Sequence, residues 1–170
     1  RREVRAPFPG TLSVAALHDD FVADDPLAEA YLVNYTDFLT PDSLMLGRTG
    51  SDERELLKSR PRFFDASGMR VEQNFVASKD GTRIPYFVIW PKGAKEDGAN
   101  PTLLTGYGGF EVPAQPYYSG AVGRAWHERG GVLVIANIRG GGEYGPGWHQ
   151  AAILANKQRS YDDFIAVAED

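Results

Sequence analysis

The sequence "GGVLVIANIRGGGEYGPGWH", residues Gly130–His149, joins an apolar run to a glycine-rich loop. Nearly every residue from 131 to 138 is apolar, which is typical of a strand covered on both faces, as in a parallel sheet. The loop that follows contains five glycines and one proline within residues 138–148. Glycine is concentrated where the backbone takes unusual angles or passes close to another segment. The stretch therefore predicts a buried strand with a crowded loop at its carboxyl end.

Other strands are predicted before this run. "VEQNFVASKDGTRIPYFVIWPKG", residues 71–93, has a strand-like half on each side of Asp80-Gly81, a pair typical of a hairpin turn. Its second half is almost wholly apolar, so we expect both of its faces to be covered. "PTLLTGYGGF", residues 101–110, predicts a short buried strand that ends in a second glycine-rich turn.

Three helices are predicted, over residues 117–130, 147–158 and 160–170. Gly130 is expected near the C-terminal end of the first helix, and Ser160 is expected to cap the last one. Strands and helices that alternate along the chain indicate the α/β class with a doubly wound sheet. We therefore expect these residues to form part of such a sheet with helices packed on it.

The chain from Thr11 to about Ser59 has a different pattern. Four short runs rich in Val, Leu, Tyr and Thr are separated by clusters of Asp, Pro, Gly and Ser. This spacing predicts an antiparallel meander, as in a sandwich, a barrel or a propeller blade. Four strands cannot cover two faces by themselves, so we expect packing against strands outside this chain. The boundary between the two patterns is placed near Ser67–Val71.

Composition excludes several classes of function. The chain has 170 residues, 42% of them hydrophobic and 24% charged, which is ordinary for a globular protein. A formal net charge of −5 argues against a nucleic-acid or anionic-membrane surface. Cysteine is absent, which removes disulfides and thiolate chemistry, and no long apolar run predicts a membrane span. We expect no cofactor and no metal, and a cytoplasmic location with a periplasmic one as the alternative.

The glycine-rich loop also contains G-x-G-x-x-G, the nominal fingerprint of a dinucleotide site, at Gly140, Gly142 and Gly145. The acidic residue that the motif expects about twenty positions later would be Asp162 or Asp163. Those residues lie at the start of a predicted helix, where the fingerprint needs the end of a second strand. We therefore prefer a loop that passes close to other backbone.

Two groups of charged residues have a structural and a chemical interpretation. Glu143 is predicted to pair with Arg139 and fix the loop, because no second carboxylate that would make an acid/base pair is identifiable.

His18 lies beside Asp24 and Asp25. A solvated turn is preferred there, with ligation of a hard cation as the alternative.

The other histidines lie in or next to predicted helices. His127 is predicted to be a packing or surface residue. For His149 a structural place is preferred, and a catalytic role stays open.

"GYGGF", residues 106–110, presents a tyrosine and a phenylalanine at the carboxyl end of a predicted strand. Open α/β sheets bind ligands at that edge. The hydroxyl of Tyr107 is a candidate hydrogen-bond donor and the ring of Phe110 a candidate pocket wall, whereas two core aromatics are the alternative. No G-x-S-x-G motif, the usual setting of a hydrolase nucleophile, occurs in the chain.

Several segments together resemble the prolyl oligopeptidase family of serine peptidases. They are "SKDGTRIPYFVIWPKG", "GYGGF", "GGVLVIANIRGGGEYGPGWH" and "ILANKQRSYDDFIAVAE", and "YTDFLTPDSLM" resembles the family's last propeller blade. The resemblance implies a β-propeller that caps an α/β-hydrolase domain. By it, residues 1–69 are the end of the propeller, and residues 70–170 are the first part of the hydrolase domain.

The same resemblance implies roles for two residues. Tyr107 matches the tyrosine whose hydroxyl supplies half of the family's oxyanion hole. Phe110 matches a residue that lines the pocket for the residue before the cut, where an apolar ring suits proline.

The implied activity is cleavage of short peptides after proline by acyl transfer, with the catalytic Ser, Asp and His beyond Asp170. We expect the 170 residues alone to be inactive and to need the remaining segments of the same protein as partners. A related oligopeptidase with another residue preference and a non-catalytic binding module are the alternatives.

Overall fold

The computed structural model describes residues 3–170, which form two compact units. The first unit runs to Phe63 and also contains Pro116–Gly120. The second unit contains Phe64–Gln115 and Ala121–Asp170. Each unit has its own four-stranded sheet.

The sheet of the first unit is an antiparallel meander. Its strands pair in chain order: β1 (Thr11–Ala16), β2 (Ala30–Thr36), β3 (Ser43–Arg48) and β4 (Arg54–Ser59). The four strands predicted from the sequence are confirmed. β2 carries most of the buried residues, whereas β1 and β4 are largely exposed because they form the edges of the sheet.

The segment Pro116–Gly120 is fixed on this sheet by hydrogen bonds across long stretches of chain. The backbone N–H of Tyr118 donates to the side-chain oxygen of Thr36 (3.3 Å), and the Tyr118 hydroxyl accepts from the N–H of Phe63 (2.7 Å). The Thr11 hydroxyl donates to the carbonyl oxygen of Pro116 (2.6 Å). These polar groups are therefore satisfied within the first unit.

The sheet of the second unit is mixed. It contains β5 (Arg70–Ala77), β6 (Arg83–Trp90), β7 (Thr102–Gly106) and β8 (Val132–Ala136), in the spatial order β5-β6-β8-β7. β5 and β6 form the predicted hairpin, and Gly81 in its turn has φ +82°, which favours glycine. β6 and β8 pair antiparallel, whereas β7 and β8 pair parallel.

The two central strands carry the core of the second unit. Ile84 and Ile89 of β6 are fully buried, and Val132 and Ala136 of β8 are nearly so, which confirms the expectation that both strands are covered on both faces. β7 differs, since most of its residues are exposed. The prediction of a buried strand was wrong there because β7 lies at the edge of the sheet and has a strand on one side only.

Residues 3–170 contain three helices, of which the first two are shorter than the sequence suggested. They are α1 (Gly120–Ala125), α2 (Pro146–Gln150) and α3 (Gln158–Glu169), with 3-10 turns at His127–Arg129 and Leu154–Asn156. Gly130 ends the first helical stretch with φ +86°, as predicted. The helix predicted over residues 147–158 is instead divided into α2 and a 3-10 turn.

Ser160 is not the cap of α3. The helix begins two residues earlier, at Gln158, and the hydroxyl of Ser160 donates to the carbonyl oxygen of Arg139 (2.6 Å). A distant backbone acceptor has therefore replaced the local capping bond that the sequence pattern suggested. Among residues 3–170, no helix has the length and apolar character needed to span a membrane.

Candidate functional site

The parallel pair of strands brings two glycine-rich loops to one edge of the sheet. β7 ends at Gly106 and β8 ends at Ala136, and these two residues are paired in the ladder. The Tyr107 loop (residues 107–111) and the Arg139 loop (residues 137–145) therefore start side by side. Ligands bind at this edge in open α/β sheets.

The two loops pass so close to each other that glycine is required. A Cβ at Gly140 would overlap the carbonyl oxygen of Gly108, and one at Gly142 would overlap that of Glu111. Gly140 also has φ +99°, a left-handed angle that other residues rarely adopt. The preferred interpretation, a loop in close contact with other backbone, is confirmed. The helix that follows Gly145 has only five residues, unlike the helix of a dinucleotide fingerprint.

Tyr107 and Phe110 lie on the outside of the Tyr107 loop. Their exposed fractions are 58% and 83%, so neither is a core aromatic. The two ring centroids are 6.5 Å apart and the ring planes meet at 30°. Phe110 and Glu111 have φ of +52° and +58°, and left-handed backbone costs a non-glycine residue about 1–2 kcal/mol. The surrounding contacts must therefore hold this part of the loop in place.

Some of those contacts involve His149. The backbone N–H of Glu111 lies 3.3 Å from the carbonyl oxygen of Gly140 and 3.1 Å from Nδ1 of His149. The same Nδ1 lies 2.6 Å from the Gly140 oxygen. His149 thus contacts the backbone of both loops, which is the structural place preferred for it from the sequence.

Arg139 is buried and forms ion pairs with two aspartates, the buried Asp163 and the partly exposed Asp80. Its guanidinium is bidentate on Asp163, with Nη2 2.6 Å from Oδ1 and Nε 2.9 Å from Oδ2. Nη1 lies 2.6 Å from Oδ2 of Asp80. The side chains of Arg139 and Asp163 are 4% and 0% exposed. Hydrogen bonds from Arg139, and then from Thr82, hold the pKa of the Asp80 carboxyl well below its usual range.

The predicted pairing of Arg139 with Glu143 is wrong. Oε1 of Glu143 instead accepts from the backbone N–H of Ala114 (2.9 Å) and from Nδ2 of Asn137 (3.3 Å). Asn137 also donates to the carbonyl oxygen of Ala114 (2.8 Å). Glu143 therefore fastens the chain that continues from the Tyr107 loop, and the expectation that it is a structural residue holds with different partners.

The other two histidines have different surroundings. His127 is buried, its Nδ1 lies 2.9 Å from the carbonyl oxygen of Gly131, and burial lowers its pKa. It is a packing residue, one of the two places expected for it. In the first unit, His18 pairs with Asp20 (2.9 Å) and Asp25 (3.4 Å), not with Asp24.

Within residues 3–170, no cluster of three or more His, Asp and Glu side chains is arranged to hold a metal ion.

Sequence reasoning missed three residues at the candidate site: Asp80, Asp163 and Lys157. The sequence pattern places Asp80 in a turn and Asp163 at the start of a helix, and neither position indicates an ion pair. Lys157 received no role, although its ammonium lies 2.5 Å from the carbonyl oxygen of Gly108. Arg139 lies 59 residues from Asp80 and 24 residues from Asp163, and Gly108 lies 49 residues from Lys157, so no local pattern could have revealed these contacts.

Comparison with known proteins gives consistent results for most of the chain. A sequence model of the prolyl oligopeptidase family matches residues 116–170. An uncharacterized peptidase of Sinorhizobium fredii, y4nA, is 44% identical over 164 residues, which are 96% of this chain and 22% of that protein. A prolyl endopeptidase of Elizabethkingia miricola is 37% identical over 168 residues, covering 99% of this chain and 23% of that protein.

The fold is also shared with solved structures. One of them comes from a structural and mechanistic study of two prolyl endopeptidases. It is 38% identical, has a TM-score of 0.85, and covers 99% of this chain and 24% of that one. The chain thus spans between a fifth and a quarter of the length of the relatives that it matches.

Taken together, the matches define a class of peptidases with a common fold. The chain belongs to the prolyl oligopeptidase family.

Proposed function

We propose that the full-length protein containing this chain is a serine peptidase that cuts short peptides after proline by acyl transfer. The observation that carries the proposal is the exposed pair Tyr107 and Phe110 on a tightly held loop at the carboxyl edge of the parallel strands. In this proposal the catalytic Ser, Asp and His lie beyond Asp170, and the chain contributes a donor and a pocket wall.

The same proposal assigns a domain to each pattern of the chain. Residues 1–69 would be the end of a β-propeller, which the four-stranded antiparallel meander supports. Residues 70–170 would be the beginning of an α/β-hydrolase sheet. The order β5-β6-β8-β7, with two antiparallel pairs followed by a parallel pair, supports that assignment, as does the packing of α3 against β5 and β6.

Tyr107 would act when a serine oxygen attacks the peptide carbonyl. The attack turns the carbonyl oxygen into an oxyanion, and a hydroxyl that is already in place donates a hydrogen bond to it. One such donor lowers the barrier by about 3–4 kcal/mol. The serine proton would pass to the histidine of the triad and then to the leaving amine.

Phe110 would line the pocket for the residue before the cut. A pyrrolidine ring has no donor and is apolar, so an aromatic ring is a suitable wall for it. Phe110 is exposed and has a left-handed backbone angle, so packing in a core does not explain its position. Both observations support a role in binding.

The test is the Tyr107→Phe variant of the full-length protein, measured on a short proline-containing peptide. We expect kcat to fall by about 10² to 10³, because one oxyanion donor is removed while the ring stays in place. The matched control is Tyr161→Phe, since Tyr161 is also exposed (55%) but lies on α3. That variant should leave kcat unchanged, and an unchanged kcat in the Tyr107 variant would remove Tyr107 from the site.

A fluorophosphonate probe tests the position of the nucleophile. The labelled serine, identified by mass spectrometry of peptides from the full-length protein, should lie beyond Asp170. A label on a serine within residues 1–170 would contradict the proposal. A protein that takes no label but still binds proline-containing peptides would instead be a binding module.

A further inference from the structure

Lys157, the residue that precedes α3, contacts the Tyr107 loop through its side chain. Its ammonium donates to the carbonyl oxygen of Gly108 (2.5 Å) and to the hydroxyl oxygen of Ser160 (3.0 Å). Gly108 lies between Tyr107 and Phe110, so this contact holds the peptide group that connects the two exposed aromatics.

The start of α3, next to Lys157, is itself held in place by hydrogen bonds. Ser160, one turn along, donates to the carbonyl oxygen of Arg139 (2.6 Å), and Asp163 accepts from the backbone N–H of Arg139 (3.0 Å) as well as from its guanidinium. Lys157 and the first turns of α3 together therefore hold a backbone group of each glycine-rich loop. A buried, bidentate ion pair gives this arrangement a defined geometry.

The Tyr107 loop has little freedom to take another path at this point. Gly108 has φ +56°, and a Cβ there would meet the side chain of Ile138 and the carbonyl oxygen of Arg139. Its carbonyl group points to Lys157, and a hydrogen bond from a charged donor is about twice as strong as a neutral one. Without the ammonium group, the carbonyl oxygen of Gly108 would have to accept a hydrogen bond from water, or the peptide group would have to rotate.

We propose that Lys157 is a positioning residue, which holds the Gly108 peptide so that the Tyr107 hydroxyl is aimed at the developing oxyanion. This inference rests on the proposed function of Tyr107. Lys157 itself touches no reacting atom; it acts through the orientation of the loop. A displacement of about 1 Å at a reacting centre can cost about 10²-fold in rate, so loss of this contact should appear in catalysis.

The test is a double-mutant cycle in the full-length protein, with Lys157→Met and Tyr107→Phe made singly and together. Methionine keeps the unbranched length of the side chain and removes the donor. We expect Lys157→Met alone to lower kcat by about 10- to 100-fold. In the Tyr107→Phe background the same change should lower kcat by less than about threefold, because the donor that Lys157 positions is already absent.

Lys157→Arg and Lys79→Met are the controls. Arginine keeps a charged donor and should restore part of the lost kcat. Lys79 is an exposed lysine in the hairpin turn of the same unit, and Lys79→Met should leave kcat within about twofold of the unchanged protein. If Lys157→Met does not fold, Lys157→Gln, which is shorter and neutral, takes its place in the cycle with the same expectation.

The possible results separate this inference from the proposed function. An equal fold-loss of kcat in both backgrounds would overturn the inference, because it would show that Lys157 acts on the enzyme without Tyr107. A kcat unchanged by Lys157→Met but lowered by Tyr107→Phe would overturn the inference and leave the proposed function standing. A kcat unchanged by Tyr107→Phe would instead overturn the proposed role of Tyr107, and with it the inference.

Discussion

The two glycine-rich loops at the same edge of the sheet have opposite characters. The Tyr107 loop turns its aromatic side chains outward and is held mainly through its backbone. The Arg139 loop turns its charged side chain inward, where Arg139 meets Asp163 in a site closed to solvent. The two glycine-rich loops therefore have different purposes. The Tyr107 loop presents side chains to the surface, and the Arg139 loop supports the Tyr107 loop.

This comparison explains why the Arg139 loop is so rich in glycine. Gly140 and Gly142 make room for the carbonyl groups of the Tyr107 loop, and the side chain of Glu143 holds the neighbouring segment at Ala114. A supporting loop needs close contact and satisfied polar groups, whereas a presenting loop needs a fixed backbone with free side chains. Two changes test whether this division is correct, and a third tests a buried residue outside both loops; all are made in the full-length protein.

The largest effect on stability is expected from Arg139→Met. The change leaves the carboxylate of Asp163 fully buried without its partner, which typically costs about 3–5 kcal/mol of unfolding free energy. Urea unfolding followed by tryptophan fluorescence measures the loss. Arg124→Met is the matched control, since the exposed side chain of Arg124 pairs with Glu128 near the surface, and loss of this pair should cost about 0–1 kcal/mol. Similar losses for the two variants would contradict a supporting role for the Arg139 loop.

A smaller effect is expected from Gly142→Ala. The new methyl group would overlap the carbonyl oxygen of Glu111, so the loops must separate, at a cost of about 1–3 kcal/mol. The displaced Tyr107 loop should also lower kcat/KM for a proline-containing peptide. Gly147→Ala is the control, because that position in α2 has open space and ordinary backbone angles. It should change stability by less than about 1 kcal/mol, and toward greater stability. If Gly142→Ala changed the stability as little as Gly147→Ala, the loops would not be in close contact.

The smallest effect concerns His127, which is buried away from both loops. Burial lowers its pKa in the folded protein, so the neutral ring is favoured there more than in the unfolded chain. The contribution to stability is therefore fully present above the unfolded pKa of about 6.5 and is lost as the pH falls through that value toward the folded pKa. Unfolding measured at pH 7 and pH 5 should show a loss in the unchanged protein that is reduced in His127→Phe.

The range from pH 8 to pH 9 serves as the control for His127, because a histidine with a pKa of about 6.5 is almost entirely neutral there, and burial in the folded protein lowers the pKa further. The two proteins should have parallel stability curves in that range. An equal loss between pH 7 and pH 5 in both proteins would show that other groups cause the acid sensitivity.

Much of the fold could be predicted because the deciding interactions are local. The hairpin turn at Asp80-Gly81, the helix end at Gly130 and the meander of the first unit all follow from neighbouring residues and their backbone preferences. The errors have a different origin. The exposure of β7 depends on its position at the sheet edge, and the placement of Ser160 depends on an acceptor 21 residues away.

In the candidate site, too, some features follow from the local sequence and others depend on distant contacts. The sequence placed Tyr107 and Phe110 at the carboxyl end of a strand and left open whether their rings were buried; the structure exposes both. Their chemical roles remain proposals that the kinetic variants test. The predicted partner of Arg139 is wrong because a charged side chain only four residues before Glu143 can be directed elsewhere by folding.

By itself, the sequence determined the family, the strand pattern and the need for glycine in the loop after β8. Those properties depend on residue type and on short-range spacing, which a linear chain displays directly. Only the tertiary structure decided that Arg139 pairs with Asp163 and Asp80, and that Lys157 holds Gly108. Such contacts join residues 24 to 59 positions apart, and their geometry exists only after the sheet and α3 have packed together.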